Sequence, residues 1–424
     1  MIFSRLSRVF LLFLAFLASF AFFPRCAWAL SSVNVPLDSW VYEALEKLEG
    51  YGLIDSALSG TKPYSRLEVG RLVAEAIRKW EDIVSRRKPS GFVQKELIPT
   101  LFERFKREFK PELIEWGVIE GTPIATYLKP IDELILKYVS QTDNPVIRPQ
   151  NGSPPTHTIY PIYNNDGIVY QKYHNFSAEL QGEGRLWNHI SVYYRPILKA
   201  FENEKVYVDL EKGYLKAEAF NLELEVGRDS LWWGPGYHGA LLMTNNARPF
   251  DLIKLSNPQP FLIPFLGPFK FNIFLSRLDY DQPYIPHPLI YGLRLNFKPH
   301  PIFEVGISQV AIFEGQGHED LSIEDYFSIL YSNRNLTEKK ESNQQVSIDF
   351  SLRWPNMDKI LPLARSLKLY GEIGAEDTGY PPDRRAYLVG FFLTDLLLTG
   401  RIDIRLEYAN TTAGSVPTAW YTHG

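Results

Sequence analysis

From Val346 to Arg353 the chain alternates apolar and polar residues for eight positions without a break: Val, Ser, Ile, Asp, Phe, Ser, Leu, Arg. Successive side chains of an extended strand point to opposite faces, so this stretch has one wholly apolar face and one bearing hydroxyl, carboxylate and guanidinium groups. Leu222 to Val226, Val206 to Leu210, Tyr291 to Phe297 and Arg401 to Tyr408 repeat the pattern, the last with four charges on one face. From about Pro130 onward the protein therefore reads as mainly β. Two architectures accept such strands. A soluble sandwich turns the apolar faces inward, whereas a transmembrane antiparallel β-barrel turns them outward to lipid and lines its lumen with the polar ones. Three features favour the barrel: aromatic residues recur near strand ends, the polar faces mix both charge signs, and a large sheet hides its edges most easily by closing.

The amino terminus bears on the compartment. Arg5 and Arg8 precede the apolar run Val9 to Phe23, Pro24 breaks it, and Ala27-Trp28-Ala29 offers small residues at the −3 and −1 positions of a cleavage site. Residues 1–29 thus read as a secretory signal peptide, the run being too short for a comfortable helical span. The single cysteine, Cys26, falls inside it, so the mature chain has no disulfide, thiolate catalyst or cysteine metal site. Cleavage removes Arg5, Arg8 and Arg25 and no acid, lowering the formal net charge from −4 to −7. That balance carries no nucleic-acid footprint. The last residues, Ala419 to Gly424, do not read as a finished barrel strand, which leads us to expect a barrel over 125–424 lacking its last strands, with Pro130 to Thr142 missing its closing neighbour.

Before the strands, residues 30–115 read as a small helical module. Trp40, Ala44, Leu45, Leu48 and Tyr51 share a helix face and Gly52 stops it. Ser65 is placed to cap a second helix, with Glu68 completing a capping box. A third, charged helix is expected around Val93 to Phe109. This stretch resembles an S-layer-homology repeat in Pro36-Leu37-Asp38-Ser39-Trp40, Gly52-Leu53-Ile54, Gly60 and Ser65-Arg66-Leu67-Glu68. The resemblance implies a periplasmic module that binds peptidoglycan, with Trp40 and Arg66 facing the ligand. Read as residues alone, Trp40 is equally a core residue and Arg66 the partner of a helix carboxylate.

One block stands apart: Leu231-Trp232-Trp233-Gly234-Pro235-Gly236-Tyr237-His238-Gly239, followed by Asn245-Asn246-Ala247-Arg248-Pro249. Gly and Pro at that density force sharp turns. Aromatic faces beside amides and a guanidinium are suited to stacking on sugar rings and bonding hydroxyls or acidic groups. The same residues also suit a loop that serves only its own turns. The block resembles the signature of the Wzi capsule-assembly family of outer-membrane barrels. That resemblance implies a barrel that retains exported capsule or exopolysaccharide at the cell surface by lectin-like, non-covalent binding. Trp232, Trp233, Tyr237, Asn245, Asn246 and Arg248 are the candidate contacts. It also implies outer-membrane lipid and surface polysaccharide as partners, a monomer, and no cofactor.

Nothing in the spacing supports catalysis or a metal site. None of the eight histidines forms a metal-spaced pair on a helix, and there is no nucleophile elbow or phosphate cradle. Ser230 and His238 can be drawn as a dyad, but a histidine in a Gly-rich loop is more often structural. Two other readings remain open, a transport pore and a peptidoglycan-tethered structural protein. The connections Asn144 to Asp166 and Gly315 to Ser342 are expected outside the cell. Pro249 to Pro268, holding four further prolines after Pro249, is expected as a plug rather than an interior strand.

Overall fold

The computed structural model describes residues 30–86, 92–142, 146–148, 157–159, 164–202, 204–278, 287–315, 322, 325, 342–360, 362–376, 384–413 and 418–419. Residues 1–29, expected as a signal peptide, Trp420 to Gly424 and most of the two expected outer connections lie outside the described residues.

A helical part comes first, with α1 (Val41–Gly50), α2 (Arg66–Arg86), a π-helical turn (Val93–Leu97) running into α3 (Ile98–Glu108), and α4 (Lys110–Glu115). Its core gathers Leu48, Leu72, Val73, Phe105, Phe109 and Leu113, all essentially inaccessible. Ser65 caps α2 as expected, accepting a hydrogen bond from the Glu68 N–H (3.1 Å). Glu68 does not complete a capping box: its carboxylate accepts from Lys270 Nζ (2.6 Å) across the molecule. A charged donor is the stronger partner for a carboxylate than a neutral N–H. Between α1 and α2 lies a two-residue strand, β1 (Thr61–Lys62).

The strands follow: β2 (Tyr127–Gln141), a small hairpin β3 (Val146–Arg148) and β4 (His157–Ile159), β5 (Tyr173–Leu186), β6 (Ile190–Phe201), β7 (Tyr207–Ala219), β8 (Leu222–Asp229), β9 (Trp232–Trp233), β10 (Phe250–Ser256), β11 (Phe261–Ile263), β12 (Gly267–Arg277), β13 (Leu289–His300), β14 (Phe303–Phe313), β15 (Ser342–Trp354), β16 (Ala364–Glu376), β17 (Arg384–Leu396) and β18 (Ile404–Asn410). Fourteen form one antiparallel sheet, running from β2 and β5 through β6, β7, β8, β10 and β12 to β18 in chain order, with β11 paired on β12. Among the described residues β2 pairs with β5 alone in this sheet and β18 with β17 alone. Short turns gather at one end and long connections at the other. Phe220 and Asn221 between β7 and β8 both have positive φ (55° and 59°), the backbone that lets a two-residue hairpin follow strand twist.

The Pro-rich stretch corrects the sequence reading. Phe250 to Ser256 is an interior strand, hydrogen-bonded to β8 on one side and β12 on the other. Pro249 precedes the strand and Pro258, Pro260 and Pro264 follow it in turns, so no paired residue of β10 lacks an N–H. Density of proline over twenty residues was misleading; their positions relative to the ladder decide.

Side-chain orientation settles which way the strands face. On β13, Arg294, Asn296 and Lys298 are buried, whereas Leu293, Leu295 and Phe297 face the other way and remain part-exposed. On β15, Ser347, Asp349, Ser351 and Arg353 are buried while Ile348 is 59% exposed and Phe350 43%. Leu136, Val208, Ile253, Ile373, Val389 and Leu406 continue the exposed apolar band across the sheet. Soluble monomers rarely show apolar patches above a few hundred Å², and this band spans the sheet. A soluble sandwich would put these residues inside, so the sandwich is excluded. No helix among the described residues is long and apolar enough to cross a membrane.

The buried polar face has a partner, the helical part. Glu115 meets Arg185 on β5 (3.6 Å), Asp38 meets Arg195 on β6 (3.6 Å), and Asn34 donates to Glu225 and Asp229 on β8. Glu68 pairs Lys270 on β12, Glu49 pairs Lys298 on β13 (3.1 Å) and Arg353 on β15 (2.8 Å), and Glu46 pairs Lys368 on β16 (3.0 Å) and Arg405 on β18 (2.5 Å). One small bundle touches strands from β5 to β18, so the sheet curls around it. Acids on the helices meet bases on the strands; buried charges persist only when paired in this way.

Candidate functional site

The Trp-Trp-Gly-Pro-Gly block leaves β8 at the end of the sheet that carries the long connections and folds back toward the helical part. β9 pairs with β1, Trp233 opposite Thr61 and Trp232 opposite Lys62. The Gly234 N–H donates to the Gly60 carbonyl (2.9 Å). Gly234 has φ +138°, and a Cβ there would lie 2.7 Å from the Glu372 carboxylate. A Cβ on Gly236 would run into the Gly239 carbonyl. Both positions therefore require glycine for close backbone approach.

Where this inward fold meets the helical part there is a cavity of about 290 Å³. Trp232, Pro235, Tyr237, His238 and Asn245 line it from the block; Asp38, Tyr42, Glu43, Glu46 and Lys62 line it from the helical part. Lys368 and Arg405 reach it from β16 and β18, and Asn164 from the β4–β5 connection. Of the six candidate contacts read from sequence, Trp232, Tyr237 and Asn245 come together here.

The other three do not. Trp233 is fully buried in an apolar core with Leu231, Leu241, Met243 and Phe274, whose ring lies 5.4 Å away, so it has no face for a sugar. Arg248 is exposed and pairs with Asp209 (2.5 Å). Asn246 is exposed and accepts from the Asn164 N–H (3.3 Å). Neighbours in a turn-rich loop point to different places, and one-dimensional adjacency cannot say which. Trp40 and Arg66 lie in the helical part, apart from the cavity lining. Trp40 donates to Glu108 (3.0 Å) and stacks under Arg104, while the buried Arg66 is held by Glu112 (2.9 Å) and the Glu108 carbonyl. Ser230 donates to Asp166 (2.8 Å), with which it is buried.

The cavity is held rigid on one side and open to bonding on the other. Glu407 accepts from the N–H groups of Tyr237 (2.6 Å) and His238 (2.8 Å) and from the Tyr370 hydroxyl (2.7 Å). The Tyr237 hydroxyl donates to Glu43, and Arg405 lies over its ring at 4.1 Å. The Asn245 amide donates to the Asn164 carbonyl (3.0 Å), and the Asn164 amide donates to the His238 carbonyl (2.9 Å). Burial works to raise the Glu46 pKa, yet Lys368, Arg405 and Arg353 hold that carboxyl well below the usual range. Lys62 is different. Its ammonium lies over the rings of Tyr42 (5.2 Å) and Trp232 (5.7 Å). Burial, aided by Lys368 and Arg405 against Glu46 and Glu304, pushes its pKa down to about 8. Sequence reasoning missed Tyr42, Glu46, Lys62, Lys368 and Arg405. Each reads locally as an ordinary amphipathic position, and nothing in the spacing joins residue 62 to residues 232, 368 and 405.

Comparison with known proteins follows the fold. Residues 153–424 match the family described as capsule assembly protein Wzi. A solved structure described as Wzi, an outer-membrane protein involved in group 1 capsule assembly in Escherichia coli and a carbohydrate-binding β-barrel, aligns with a TM-score of 0.59 at 18% identity. The alignment covers 92% of this chain and 74% of that one. A 55.8 kDa protein of the cps region of Klebsiella pneumoniae, of uncharacterised function, is 26% identical over 190 residues. The match takes in 42% of this chain and spans only 35% of that protein's length.

Proposed function

The chain belongs to the capsule assembly protein Wzi family, and from that membership we propose that it is an outer-membrane barrel that retains exported polysaccharide at the cell surface by non-covalent, lectin-like binding. The observation that carries this reading is the cavity in which Trp232, Tyr237 and Asn245 converge with Tyr42 and Lys62. Aromatic rings, amides and a few charges around a small concave space form a binding constellation. The polymer is a capsule or an exopolysaccharide. Single-site contacts with sugars are weak, so retention comes from many such contacts along one polymer.

Cells lacking the protein are expected to shed polymer into the medium, and the wild-type gene to restore cell-bound polymer. Tyr237→Ala combined with Asn164→Ala should fail to restore it, because both side chains sit at the part-exposed edge of the cavity and neither belongs to the apolar core. Cell-bound polymer unchanged by loss of the protein would refute the proposal. The transport-pore alternative is disfavoured by the helical part and the Trp-Trp block meeting inside the curled sheet. We expect no steady open-channel current from the purified full chain in planar bilayers.

A further inference from the structure

The charges around the cavity are unequally satisfied. Lys368 and Arg405 share Glu46 as an ion-pair partner (3.0 and 2.5 Å), Glu49 is taken by Lys298 and Arg353, and Glu43 accepts from the Tyr237 hydroxyl. Asp38 faces Arg195 (3.6 Å). Lys62 alone of the lining cations has no carboxylate in ion-pairing distance and no hydrogen bond through its ammonium among the described residues. It is held instead over the faces of Tyr42 and Trp232. Aromatic faces steady a cation but supply no acceptor for its three N–H bonds. A part-buried ammonium in that state lacks what an oxyanion would give it. The volume, about 290 Å³, is at the small end of ligand pockets and fits one sugar ring rather than a length of chain. Asn164 and His238 stand at the lining with hydrogen-bonding groups suited to hydroxyls.

We propose that this cavity is a subsite for one carboxylate-bearing sugar residue, with Lys62 as the side chain that selects the negative charge and Tyr42 and Trp232 as the residues that position it. The proposal rests on the polysaccharide-holding reading and adds the charge class of the sugar. A neutral polymer offers the Lys62 ammonium only hydroxyl acceptors, whereas an acidic one adds a charge-assisted bond, which is about twice as strong. Selection therefore comes from the charge-assisted bond that a carboxylate makes with the half-buried ammonium and a neutral hydroxyl cannot match.

The test uses the purified full-length protein and the polysaccharide isolated from the cells that make it, in native form and with its carboxyl groups reduced to alcohols. Binding is read by quenching of tryptophan fluorescence. Wild type is expected to bind native polymer at least tenfold more tightly than reduced polymer. Lys62→Gln should bind native polymer as weakly as wild type binds the reduced form, while Lys62→Arg stays within threefold of wild type. Heat-modifiable migration on gels checks that each variant is folded. Equal binding of native and reduced polymer by wild type, an unchanged Lys62→Gln, or a native polymer free of carboxylates each overturns the subsite. If wild type binds neither polymer, the retention reading itself fails; if it binds both equally, only the charge assignment falls.

Discussion

At the scale of single residues, adjacent tryptophans divide the labour of one motif. Trp233 has no exposed surface and packs on Phe274 within the apolar core, while Trp232 borders the cavity beside Lys62. Trp233→Ala should destabilise the protein by about 3–5 kcal/mol, the range for removing a large buried aromatic, read as a lower temperature for the heat-modifiable gel shift. Lys62 gives a pH dependence of definite sign. Its pKa in the folded chain, about 8, lies below its ordinary value, so the folded state sheds this proton first as pH rises. Between about 8 and 10.4 the unfolded chain then holds more protons, and stability rises with pH there. The groups facing Lys62 are Asp38 ahead of α1, Tyr42, Glu43, Glu46 and Glu49 from α1, Tyr64 ahead of α2, Glu304 from β14, Lys368 from β16, Arg405 from β18, and Tyr237 and His238 from the block. Affinity for an anionic polymer should move the opposite way, falling above pH 8, and Lys62→Gln should flatten that limb of the titration. An affinity that climbs with pH in this window would contradict the assignment. The sequence flagged Trp232 and Trp233 equally. Only their alternation about a folded loop separates core from cavity.

Among elements, α1 behaves as a clasp. Glu46 spans Arg353 on β15, Lys368 on β16 and Arg405 on β18, and Glu49 adds Lys298 on β13. β18 has one hydrogen-bonded neighbour among the described residues, so this ion pair is a second tie holding it in the curl. Replacing Glu46 by Gln leaves largely buried cations without their counter-charge, a change that costs about 3–5 kcal/mol when a buried pair is broken. The variant should unfold at lower temperature in gel-shift or scanning experiments. Because the folded state holds the Glu46 carboxyl below its ordinary value, its contribution is full above about pH 4.3 and declines as pH falls through the acidic range. A wild type whose stability is flat across that range would deny the clasp this role. The helices themselves were legible from apolar spacing, and Ser65 from its position as a cap. That Glu68 would serve Lys270 rather than its own capping box was not, since the competing donor is two hundred residues away.

For the whole molecule the governing fact is that the sheet is turned inside out relative to a soluble protein. The sequence by itself determined that strands would alternate, that each would carry a charged and an apolar face, and that a small helical part would precede them, because these follow from local periodicity. The resemblance of one short block also gave the family, later matched over residues 153–424. Which face would be buried was not decided locally: a period of two is identical whether the apolar side meets a core or lipid. Tertiary structure decided it by filling the concave side with an acidic helical part, whose charges complement Arg185, Lys270, Lys298 and Lys368 on the strands. The same packing divided the six candidate contacts of that motif into three that reach a cavity and three that do not. It also recruited Lys62 into the site from a helix-to-helix connection. Side chains hundreds of residues apart meet only when the sheet curls, and no local pattern encodes that closure.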